Sequence, residues 1–145
     1  MKLKPINVLE IIVSLIFIMS HLLKRELPYM GIATALSGGI LCVLYCYLGV
    51  YILKFPEIQT FYRIIYGIVF GITVIGILYC FKSWPNGNFF IGLAMILLLL
   101  LSVIRLIAVY LFKKPQAMPY NKGIVIRYLI LFVVSIYAFL TYKFR

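Results

Sequence analysis

The chain has 145 residues, 66% of them hydrophobic, and a mean hydropathy of +1.14, more apolar surface than a water-soluble domain of this length can bury. Its net charge of +11 comes with no basic, aromatic-interleaved soluble segment for a nucleic-acid groove, so nucleic acid is excluded as a partner and the cations are assigned to helix ends beside anionic headgroups. Three acidic residues, one histidine, no Gly-rich phosphate loop and no Ser or Cys beside a base leave no constellation for acyl, phosphoryl or metal-assisted transfer. The expectation is therefore no enzyme, no cofactor and no metal.

Lipid tails cannot satisfy backbone N–H and C=O groups, so an apolar chain of this kind spans as helices or as a closed barrel. The apolar runs are continuous and lack the alternation of a barrel strand, which predicts an all-α, polytopic, single-domain membrane protein with five transmembrane helices. The first run, 6–23, is opened by Pro5, whose missing N–H costs nothing in a first turn, and it carries Glu10, Ser14 and Ser20. It is the weakest span, close to the roughly 20-residue minimum. An alternative is four spans plus an N-terminal interfacial helix. The second run is 29–53 and the third 61–81. Lys82-Ser83-Trp84-Pro85-Asn86-Gly87-Asn88 then joins a fixed φ to residues that tolerate positive φ, predicting a tight helical hairpin. The fourth run, 89–112, leads into the longest loop, 113–122, and the fifth is 123–142.

Lys and Arg collect on cytoplasmic loops. One side holds Lys2, Lys4, Lys54, Arg63, Lys113, Lys114, Lys122 and Arg127; the other holds Lys24, Arg25, Lys82, Lys143 and Arg145. The bias predicts a cytoplasmic N-terminus. No small-x-small cleavage site follows the first run, so no signal peptide is expected.

Charges within a span need a partner or a function, because insertion of one near a helix centre costs at least ~2.5 kcal/mol. Glu10, about one turn into the first span, and Arg105, about two turns from the end of the fourth, fall in the same half of the membrane, so an interhelical pair between them is allowed. Alternatively Arg105 snorkels to the interface and Glu10 sits at the positive end of its helix dipole. Cys42 and Cys46 lie one turn apart, but a metal would need further ligands and His21 is on another span; packing is the expected role of Cys42, Cys46 and Cys80. Gly67 and Gly71 form a Gly-x-x-x-Gly pair followed by Thr73 and Gly76, and Gly31, Ala35, Gly38 and Gly39 thin the second span, predicting close helix contact. Tyrosines near run ends, such as Tyr29, Tyr79 and Tyr142, read as aromatic belts.

Tyr66-Gly67, Gly76, Phe81-Lys82, Trp84-Pro85 and Asn88 together resemble the membrane hairpin of GldL, the gliding-motility and type IX secretion motor subunit of Bacteroidota, whose turn reads Phe-Lys, a spacer, then Trp-Pro-Gly-x-Asn. The same hairpin resembles that of small multi-span proteins of that phylum. The likeness covers 61–112. It implies a hairpin scaffold in a bacterial inner membrane with its turn facing the periplasm. The motor's intramembrane carboxylate has no counterpart here, since the helix after the turn has Arg105 as its one ionisable residue, so ion-driven motor activity is not carried over.

Abundant packing surface without reaction chemistry leads to the expectation of a non-catalytic scaffold or subunit that meets the lipid bilayer and acts through helix contacts, as a homo-oligomer or in a larger membrane complex. The alternatives are a small oligomeric transporter or channel, with Glu10, Arg105, Ser14, Thr34, Ser37, Thr73 and Ser102 along its path, and a membrane-disrupting effector.

Overall fold

The computed structural model describes residues 5–23, 27, 29–47, 60–110 and 122–143, with side chains at all of these except 5–7, 60–63, 105, 108–110, 122 and 123. Five helices make up the described chain: α1 (Pro5–Leu23), α2 (Met30–Tyr47), α3 (Thr60–Lys82), α4 (Gly87–Tyr110) and α5 (Lys122–Lys143). Their ends follow the apolar runs to within the usual fraying of a residue or two, except that 48–53 of the second run and 111–112 of the fourth lie outside the described residues, as does most of the 113–122 loop. Four helices are long and apolar enough to cross a membrane, over Met30–Tyr47, Ile64–Lys82, Gly87–Ile104 and Ile124–Lys143. The α1 helix has 19 residues, against 18 for α2.

The α3 helix is central. It packs against α2, α4 and α5, while α1 lies along α2. Burial follows from that position: 61% of the apolar window of α3 is buried, against 28% for α4 and 22% for α5. Phe70, Val74, Ile77 and Phe81 recur at three- and four-residue steps and form one stripe of α3, meeting Ile91 and Leu98 of α4 and Leu131 and Ala138 of α5 in the core.

Small residues set how closely the helices approach. At Gly71 a Cβ would lie 3.0 Å from Cys46 Sγ and 3.6 Å from Cys42 Sγ, so this glycine seats α2. At Gly76 it would lie 2.9 Å from the Phe90 carbonyl oxygen and 3.1 Å from Ile91 Cα, a backbone-to-backbone contact with α4. Gly38 gives way to the ring of Phe17, 2.9 Å from its absent Cβ, and so seats α1. Gly67 is buried. Of the glycines expected to make contacts, Gly39 differs: its Cβ position meets nothing within 4 Å.

The α3–α4 turn is built by two residues with positive φ, Ser83 (55°) and Asn86 (65°); Gly87 has none. Ser83 N–H donates to the Cys80 carbonyl (3.1 Å) and Trp84 N–H to the Tyr79 carbonyl (3.0 Å), the two bonds of a Schellman cap, and its customary apolar contact is the Trp84 ring standing edge-on to Tyr79 at 5.1 Å. Pro85 and Asn86 then occupy the corners of a turn closed by Gly87 N–H on the Trp84 carbonyl at 3.3 Å. The absence of a side chain at Gly87 serves a different purpose: its Cβ position is 2.9 Å from the ring of Tyr142, at the far end of α5. The Tyr142 hydroxyl donates to the Trp84 carbonyl at 3.2 Å, which ties α5 to the turn. Lys82 reaches sideways and donates to the Gly31 carbonyl of α2 at 3.1 Å; Asn88 is exposed.

The surface inverts the arrangement that water selects. Large apolar residues face outward along α1 (Leu15, Ile16), α2 (Leu36, Val43), α4 (Ile96, Leu100) and α5 (Leu129, Val133). Glu10, Ser20, Thr34, Ser37, Thr73 and Ser135 are buried. Thr73 and Ser135 donate to the carbonyls four residues back, at 2.8 and 2.7 Å, and Ser20 meets Thr34 across the α1–α2 interface at 3.0 Å. Each buried hydroxyl thus has a partner that requires no water.

Candidate functional site

Among the described residues the most concentrated polar chemistry lies at the end of the bundle where α1 and α5 begin. Glu10 stands about one and a half turns into α1 and Arg127 about the same distance into α5. A rise of ~1.5 Å per residue puts both roughly 7–8 Å beyond their helix starts. Arg127 Nε donates to Glu10 Oε1 at 2.7 Å and to Oε2 at 3.0 Å, and Nη2 donates to Oε2 as well. This is a bidentate guanidinium–carboxylate pair, the strongest of the charge-assisted geometries. The Glu10 side chain is 9% exposed and that of Arg127 18%. Tyr45, a buried residue of α2, lies beside the pair. Three helices therefore converge on one acid, and the edge-on contact of Tyr45 with Phe70 at 5.7 Å carries the cluster to the central α3.

Taking two charges out of water costs several kcal/mol per ion, offset only by good geometry and satisfied remaining lone pairs. Both conditions hold here. The carboxylate accepts from Arg127 on both oxygens. The arrangement offers a neutral, closed ion pair joining the two ends of the sequence, not an acid or base aimed at a substrate.

The partner of Glu10 is thus Arg127, not the Arg105 that sequence reasoning set beside it. Arg105 belongs to α4, which packs on α3 and α5, and its side chain lies outside the described residues. Arg127 was counted only among the boundary charges. A usable signal was present: α1 and α5, both odd-numbered spans, run the same way, and Glu10 and Arg127 sit at the same depth from their starts.

The remaining candidates fall elsewhere. His21 stacks on Phe81, with ring centroids 3.6 Å apart and planes 12° from parallel, which ties α1 to α3 at the opposite end. Cys42 and Cys46 face Gly71, and Cys80 is buried with its thiol donating to the Gly87 carbonyl at 3.5 Å. Among the described residues no three of His, Cys, Asp and Glu converge. Between α1 and α2 runs an apolar groove of about 630 Å³, lined by Leu9, Ala35, Leu36, Gly39, Ile40 and Val43 among others. No family model, curated protein or solved structure matches the chain.

Proposed function

We propose that this chain is an integral membrane protein of five spans in a bacterial inner membrane, with its N-terminus cytoplasmic, and that it acts as a non-catalytic scaffold or subunit through helix contacts. The observation that carries the reading is the inverted surface: outward Leu15, Leu36, Ile96 and Val133 over an interior holding Glu10, Thr34, Thr73 and Ser135. In water such a surface would aggregate; in a bilayer it is the solvent-matched face. The resemblance of the α3–α4 hairpin to a motor subunit supports a part in a larger membrane assembly, without the motor's carboxylate.

Transport is the reading that this geometry supports less. It asks the intramembrane charges to line a water path, whereas Glu10 is closed by Arg127 and the buried hydroxyls of Thr73 and Ser135 are bonded to their own helices. Alkaline carbonate extraction of membranes followed by light scattering of the detergent-purified protein tests the proposal. The expected outcome is a chain that stays in the membrane pellet and shows a defined mass after correction for bound detergent. Release into the carbonate supernatant would sink the membrane reading. A defined ring that passes ions after reconstitution would replace the scaffold with a channel.

A further inference from the structure

We infer that α1 is a conditional span, held across the bilayer by Arg127 of α5 and otherwise resident at the membrane interface. The inference rests on the membrane reading above and goes beyond it by assigning the ion pair a switching role. The α1 helix comes from the shortest of the five apolar runs of the sequence, 6–23, and its packing is directed mainly at α2. One of its buried residues is a carboxylate. A glutamate has only a two-carbon stem, so roughly 7–8 Å beyond the helix start it cannot extend to the headgroups, whereas an arginine at that depth can snorkel. The two residues of the pair are therefore unequal. Arg127 tolerates the loss of Glu10 by reaching outward; Glu10 has no such escape when Arg127 is lost.

The partner also arrives late in synthesis. Glu10 and Arg127 are 117 residues apart in sequence, so α1 is made long before the guanidinium that neutralises it. Without that charge the cheaper placement of α1 is along the interface, with the carboxylate hydrated. Since α1 joins α2 through the short segment around Leu27 and Tyr29, an interfacial α1 lies on the side where α2 begins. The N-terminus then changes sides of the membrane.

The test uses the full chain in its membrane with a short N-terminal epitope tag, scored by protease accessibility from each side. In the unmodified chain the tag is expected on the side of the Tyr47 end of α2. Arg127→Gln is expected to raise the fraction on the opposite side at least fivefold. Glu10→Gln is expected to leave the tag where it was, and so is Glu10→Gln combined with Arg127→Gln, because neither then strands a carboxylate. Arg127→Lys is expected to lie near the unmodified chain. An Arg127→Gln chain that resists carbonate extraction yet keeps the unmodified tag placement overturns the inference while sparing the membrane reading. A double variant that behaves like Arg127→Gln also overturns it, since Arg127 would then act through packing and not through charge. Loss of the unmodified chain to carbonate overturns the membrane reading, and this inference with it.

Discussion

Glu10 shows how much one side chain can organise. Its carboxylate is met from α5 by a bidentate guanidinium, 117 positions away in the chain, so its environment is assembled from residues that no local sequence window contains. Hydrogen bonds to charged groups contribute ~1.5–3 kcal/mol each. Glu10→Gln takes the charge out of the bonds to Arg127, so it is expected to destabilise the bundle by about 1–3 kcal/mol, read as a lower midpoint of thermal unfolding in detergent. An unchanged midpoint would mean that the pair contributes nothing net to stability.

At the scale of the helices, glycines that look alike in sequence have opposite roles. Gly76 brings α3 onto the α4 backbone, with a Cβ position 2.9 Å from a carbonyl oxygen, while Gly39 meets nothing within 4 Å. A backbone neighbour cannot swing aside as a side chain can, so Gly76→Ala is expected to cost about 1–3 kcal/mol. Gly39→Ala is expected to be neutral or to stabilise by up to ~1 kcal/mol through helix propensity. Thermal unfolding of the two variants side by side checks this, and equal losses would contradict the helix arrangement. The α3–α4 turn was legible as a turn from Trp84-Pro85-Asn86-Gly87, but not in detail. Positive φ falls on Ser83 and Asn86, because the Schellman cap of α3 requires its left-handed residue directly after Lys82. Gly87 was needed for the approach of Tyr142, a residue more than fifty positions away.

For the whole molecule the decisive property is the sign of the solvent. Val133, about midway along α5, is 63% exposed. In water Val133→Lys would be a harmless surface change, whereas facing lipid it carries an insertion cost of ~2.5–3.5 kcal/mol. The expected outcome is a sharp drop in the membrane-integrated fraction, measured by carbonate extraction; full retention would mean that this face of α5 does not meet lipid. The tethers of α5 act at the same scale. Arg127 fixes one end of it to α1 and Tyr142 fixes the other to the α3–α4 turn, which sets its register although it is among the least buried of the spans.

The sequence by itself determined that the chain is helical and, among the described residues, nearly where each of the five helices begins and ends. Composition and run length carry that information directly, since a backbone without water has to pair with itself. It also determined that Gly71 and Gly76 would be contact points, because small residues at helical spacing have few other uses. Only the tertiary structure decided that α3 lies at the centre, that Gly39 faces outward and that Glu10 belongs to Arg127. Those facts depend on which helices are neighbours. In a chain whose spans are all apolar, hydrophobic patterning no longer distinguishes a face that meets protein from one that meets lipid, so helix order in space is set by the fit of particular side chains and by the ion pair that closes between α1 and α5.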